Sequence, residues 1–293
     1  VSAKANREYK DSVFTSLFGE KDTLLELYNA IQNTNYGKDT DIKITTLENV
    51  LYKGQANDIS FVIDGKIVVL IEHQSTINEN MPLRMLSYIE SVYKKIVKKK
   101  DMYKKLKIKI PYPEFIVLYN GKDKYPSKKT LKLSDMFKKN EDGKCPINLE
   151  LLVQVYNINQ GYNPVFAQKS DALDGYEMLV ARVRYYLLKK KKTLKEAIDL
   201  AIKDCINEGK IAEFLESHST EVKDMLLREW KLEDELDGQL SDGIEIGMQR
   251  GMRQGMRQRD EAIAINMLKK GMSVDEISEL TGLFIDDILR LEY

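Results

Sequence analysis

Residues 58–75 read Asp-Ile-Ser-Phe-Val-Ile-Asp-Gly-Lys-Ile-Val-Val-Leu-Ile-Glu-His-Gln-Ser. Two apolar runs flank Asp64-Gly65, a dipeptide suited to a tight hairpin turn. The second run, Ile67 to Ile71, is apolar without interruption, as in a strand buried on both faces. Asp58 opens the first strand and Glu72 closes the second, so the two carboxylates are expected at the same end of the hairpin. Gln74 lies two residues beyond Glu72 and shares its side of a strand. Three oxygen-bearing side chains around a buried strand suit one hard cation such as Mg²⁺, because an unpaired carboxylate there is expensive. Taken alone the triad is a weak signal, since acids at strand ends are more often solvated.

Outward from the hairpin the pattern is mixed α/β. Upstream, Tyr9 to Ile31 has apolar positions at helical spacing and is predicted as two short helices broken near Gly19; Ile42 to Leu51 alternates as a strand. Downstream, Met81-Pro82 marks a helix start, with the helix running through Tyr88, Val92 and Ile96 into a lysine-rich stretch closed by Pro111 and Pro113. Phe115–Tyr119 and Leu149–Ile158 are the next strands. Strand, long helix, strand implies a crossover and a mixed sheet. Beyond Pro164 the chain reads as helices, over Asp171–Lys192, Thr193–Asn207 and Ser219–Glu235. We therefore expect a core at 1–165, a helical extension at 166–240 and a C-terminal module at 241–293.

Composition narrows the classes. With 46 basic and 46 acidic residues the net charge is zero, yet nine lysines and one aspartate fall between Lys94 and Lys109, and a second run covers Lys189–Lys192. Such density can meet phosphates despite a balanced total; the bland alternative is a solvated face. Cys145 and Cys205, far apart, fit neither a zinc site nor a secreted disulfide framework, and a reducing cytoplasm is expected. No stretch has the length of a membrane span, and no glycine-rich loop ends in Gly-Lys-Ser/Thr, so neither membrane nor nucleotide cofactor is expected.

Gly243, Gly247, Gly251 and Gly255 recur every four residues, followed by Ile244, Met248, Met252 and Met256. A helix-interior glycine costs about 1 kcal/mol relative to alanine, so a helix here calls for a gain such as close approach of a second helix. The interleaved Arg250, Arg253 and Arg257 exclude the membrane form of that motif. A flexible tether and a self-association helix both fit. Next come an amphipathic helix over Ala262–Lys270, a capping box at Ser273–Glu276 and a turn at Thr281-Gly282-Leu283. Asp286 and Asp287 open the last helix, which suits packing or oligomerisation better than reading DNA bases.

Leu70-Ile71-Glu72-His73-Gln74-Ser75, Met81-Pro82-Leu83-Arg84 and Tyr88 together resemble the recombination-promoting nuclease family of YhgA-like transposases, within the PD-(D/E)XK nuclease superfamily. The likeness extends to Asp11-Ser12-Val13-Phe14, Leu17-Phe18-Gly19, Val117-Leu118-Tyr119-Asn120-Gly121, the glycine repeat and the terminal Gly271-Met272-Ser273…Thr281-Gly282-Leu283 pattern. It implies a restriction-endonuclease-like α/β core and metal-dependent hydrolysis of DNA phosphodiesters, in recombination, mobile-element or defence biology. Asp58 and Glu72 would bind Mg²⁺ or Mn²⁺, with the backbone carbonyl of His73 as a further ligand. Gln74 would stand where the superfamily usually has lysine, and Asn57 where it has proline before the aspartate. Asp11 and Glu48 are candidate accessory acids, each equally readable as a cap or a surface acid. Arg84 and Tyr88, four apart on a helix, either meet phosphate or support Glu72, or else pack the helix on the sheet with a salt bridge. A glutamine holds a water but supplies no positive charge, which keeps a second reading open: a catalytically weak DNA-binding or assembly protein, with a homo-oligomer formed through the tail.

Overall fold

The structure is a computed structural model that describes residues 12–44, 58–72, 78–138, 143 and 148–291. Side chains at 44, 58, 68–72, 232–246 and 249 fall outside that description. Two compact units are present, Val1–Trp230 and Lys231–Tyr293.

The first unit opens with helices α1 (Val13–Phe18) and α2 (Lys21–Gln32), separated at Gly19 as the spacing predicts. Strands β1 (Ile42–Ile44), β2 (Asp58–Ile63) and β3 (Lys66–Glu72) follow, then helix α3 (Met81–Ile96) and strands β4 (Tyr112–Tyr119), β5 (Lys128–Lys132) and β6 (Leu152–Asn157). They form one six-stranded sheet in the order β1-β2-β3-β4-β6-β5. β3, β4 and β6 run parallel, while β1–β2, β2–β3 and β5–β6 are antiparallel. The fold is thus the mixed-sheet α/β class expected, with α3 making the crossover between β3 and β4.

Both faces of the sheet are buried, and β4 shows how one strand serves both. Phe115, Val117 and Tyr119 join Ile67, Met85, Tyr88 and Val153 beneath α3. Ile116 and Leu118 join Ile59, Phe61 and Ile63 on the opposite face, with α1 and α2. Period-two alternation inside an all-apolar run is what a central strand requires.

Helices α4 (Pro164–Lys169), α5 (Asp171–Leu188), α6 (Leu194–Asn207) and α7 (Ala212–Ser217) complete the first unit together with the start of α8 (Ser219–Lys269). Leu173, Tyr176 and Val183 of α5, Ile198 of α6 and Leu226 and Trp230 of α8 share a core with the sheet. Helices α5 and α6 therefore belong to the same compact unit as the strands.

Three elements differ from expectation. Helix α3 stops at Ile96, having taken in only Lys94 and Lys95 of the lysine run and well before Pro111, which instead accepts a hydrogen bond from Tyr93 Oη at 2.7 Å; Pro113 lies inside β4. Strand β5 has the sequence Lys-Lys-Thr-Leu-Lys, whose charges suit an edge and conceal it from a hydropathy reading. Helix α8 passes through the glycine repeat without a break and spans 51 residues.

In the second unit, Ala264, Ile277 and Ile288 form a small core with Met267, Leu268 and Leu283. Ser273 and Glu276 make the expected capping box for α9 (Val274–Thr281). Gly282, at φ +74°, ends α9 in the left-handed conformation that glycine adopts without strain. The last helix, α10 (Ile285–Ile288), is a single turn.

Candidate functional site

Asp64 and Gly65 both have positive φ, +47° and +71°, the requirement of a two-residue hairpin turn that matches strand twist. That turn sets the register, and Asp58 pairs with Ile71. Glu72 is the next residue along β3 and pairs on its other side with Leu118 of β4. The two acids are thus neighbours in register at one end of the sheet, not cross-strand partners. Neighbouring registers alternate between faces in a regular pleat, so acids so placed can serve one ion only where the ladder ends. Asp58 is the first residue of β2 and Glu72 the last of β3.

Asp11, Glu48, His73 and Gln74 lie outside the described residues. Tyr88 is 2 % exposed and sits in the core beneath α3, which favours packing over phosphate contact for its ring. Arg84, one turn earlier, donates to Met81 Sδ at 3.4 Å. Among the described residues no three His, Cys, Asp or Glu side chains gather as a metal-binding cluster.

The C-terminal ends of β4 and β6 carry a polar cluster that sequence reading did not anticipate. The Arg184 guanidinium, on α5, donates to the main-chain oxygen of Asn120, to Asn120 Oδ1 at 2.9 Å and to Asn159 Oδ1. It also lies over the indole of Trp230, 5.9 Å from the ring. Asn159 Nδ2 donates to Gly121 O at 3.1 Å and to Asn157 Oδ1 at 2.9 Å, and Asn157 Nδ2 donates to Tyr125 O at 2.9 Å. Asn120 stands two residues past Leu118, the register partner of Glu72. A fixed cation is therefore held on the strand adjoining the acidic end of the hairpin. Only the tertiary meeting of residues 120, 159 and 184 reveals it; Asn120-Gly121 alone reads as a strand ending in a turn.

Helix α5 also buries Glu177, 5 % exposed, with one carboxyl oxygen lacking a hydrogen-bond partner among the described residues. Burial, reinforced by Asp174, pushes its pKa from 4.5 up to about 8. The folded chain then keeps a proton that the unfolded chain releases above pH 4.5, so this group's stabilising contribution is complete below that pH. It is lost as pH rises towards 8, by at most about 1.4 kcal/mol per pH unit. Glu177→Gln, which is neutral at every pH, should flatten the dependence between pH 5 and 8 and raise the urea midpoint at pH 8. A parent and variant with parallel pH–stability curves would contradict this.

Residues 44–158 match the family described as "Putative transposase, YhgA-like", the family that the motifs resemble. The matched segment contains strands β2 to β6, the last residue of β1, and α3. That family points to mobile-element biology and to DNA as the partner. No curated protein and no solved structure matches the chain. No helix among the described residues is long and apolar enough to cross a membrane.

Proposed function

We propose that this chain is a divalent-metal-dependent DNA endonuclease whose hydrolytic centre lies at the Asp58–Glu72 end of the hairpin. The observation that carries the reading is the register: two carboxylates occupy adjacent positions where an inner strand of the sheet ends, within the segment that matches the transposase family. An all-oxygen donor set of this kind fits Mg²⁺ or Mn²⁺. Bound there, the ion would lower the pKa of a coordinated water and stabilise charge on the phosphate.

In this reading Asp58, Glu72 and the His73 carbonyl hold the ion. Gln74 orients the attacking water through its amide, which both donates and accepts. Arg184, anchored on Asn120 and Asn159, adds positive charge beside the strand that carries Glu72, partly compensating for a glutamine in place of lysine. Purified protein incubated with supercoiled plasmid and Mg²⁺ tests the reading. If neither the parent nor its Asp58→Ala and Glu72→Ala variants cut while all three bind DNA, the assembly reading replaces it.

The same proposal includes a homo-oligomer formed through α8. A Cβ at Gly247, Gly251 or Gly255 would meet nothing within 4 Å among the described residues, and Met248 and Met252 are 72 % and 66 % exposed. Three helix glycines with no neighbour within 4 Å of a Cβ position among the described residues are consistent with a second copy approaching there. Met248→Glu combined with Met252→Glu should lower the mass measured by light scattering, as should removal of residues 243–293. An unchanged mass in both would eliminate the tail as the association surface.

A further inference from the structure

We propose that the segment from Lys98 to Ile110 is a docking strip for single-stranded DNA, at the opposite end of the sheet from Asp58 and Glu72. Nine lysines face one acid between Lys94 and Lys109. Lys94 is paired with Glu90, and Lys104 with Asp101 at 2.6 Å. Among the described residues, Lys98, Lys99, Lys105, Lys107 and Lys109 have no acidic partner. The apolar residues between them are equally uncovered: Met102 is 68 %, Tyr103 80 % and Leu106 84 % exposed.

The conformation narrows the occupant. A short 3₁₀ turn covers Lys99–Tyr103, and residues 104–111 form neither helix nor strand. An interfacial membrane helix separates its apolar and basic faces; here lysine and apolar residues interleave along a non-helical stretch. Duplex DNA presents phosphates but keeps its base faces stacked, which would leave Tyr103 and Leu106 in water. A single strand offers both phosphates for the lysines and open base faces for the apolar side chains.

Position makes the strip a separate element. Tyr112, at the start of β4, pairs with Lys66, and its ring lies 5.7 Å from the Lys66 ammonium. Glu72 pairs with Leu118, six residues along, so the strip joins the sheet about 20 Å from the acidic end of the hairpin. It holds DNA without occupying that end, and it does so whether or not the hairpin hydrolyses a phosphodiester.

The test is fluorescence anisotropy of a labelled oligothymidylate of about 20 nucleotides with the full chain in EDTA, titrated at several salt concentrations. Lys105→Gln, Lys107→Gln and Lys109→Gln together should reduce the slope of log affinity against log salt by about 2. Tyr103→Ala should weaken binding about five-fold or more, with the melting temperature of each variant unchanged. A duplex of equal length should bind less tightly, and Lys189→Gln with Lys190→Gln and Lys192→Gln should leave the slope intact. The proposal is overturned by an unaltered slope in the first triple variant, by an equal loss in the second, or by a preference for duplex. Binding to phosphatidylserine vesicles that the oligonucleotide does not displace would overturn it as well.

Discussion

Asp58→Ala and Glu72→Ala should each slow Mg²⁺-dependent nicking of supercoiled plasmid at least about 100-fold, the scale on which enzymes lose rate when one preorganised electrostatic contribution is removed. Either change leaves one carboxylate to hold a divalent ion that requires several oxygen ligands. The fold should survive both, because Asp58 and Glu72 stand at the first and last positions of their strands and the buried core lies inward of them. Circular dichroism and thermal melts should therefore match the parent while cleavage disappears. Gln74→Lys should shift activity the other way, restoring a positive charge near the reacting phosphate. Parent-like nicking by both alanine variants would move the hydrolytic centre elsewhere in the molecule. Activity that fell in step with melting temperature would instead mark the two acids as structural.

Periodicity shows the hairpin, the break at Gly19, the start of α3 at Met81-Pro82 and the capping box at Ser273 in the sequence because each is fixed within a few residues of chain. The doubly buried character of β4 is legible for a related reason, since a central strand cannot afford polar positions on either face. What escaped depends on distant partners. Strand β5 is recognisable only as the antiparallel neighbour of β6. Helix α8 continues through the four glycines of the repeat, which local propensity alone would count against. Asn120, Asn159 and Arg184 are scattered over 65 residues and become a cluster only when α5 packs across the strand ends. For the candidate site, residue types and their hairpin positions could be read directly, whereas the adjacent cation could not.

Phe14→Ala should destabilise the protein by about 3–5 kcal/mol, the range for deleting a fully buried aromatic ring. Phe14 is 0 % exposed and packs 4.6 Å from the Phe18 ring and 5.6 Å from Tyr176 of α5. Helix α1 has only six residues and is too short to persist alone. Two local devices hold its N-terminus: the Ser12–Thr15 capping box and Glu229 of α8, which accepts the Val13 amide at 3.0 Å. Neither replaces the ring as a link between α1, α5 and the sheet. Against a typical total stability of about 5–15 kcal/mol, the loss brings the first unit close to unfolding at ambient temperature. Urea denaturation should show a lower midpoint with an unchanged slope, and Tyr103→Ala, at an 80 % exposed position, should move it by less than about 0.5 kcal/mol. A Phe14→Ala loss below about 1 kcal/mol would mean that α1 is held by its caps, not by its buried face. Leu118, the register partner of Glu72, shares the Phe14 core, so the same substitution should also lower DNA cleavage, and glycerol or another stabilising osmolyte should recover part of that activity but none of that lost in Glu72→Ala.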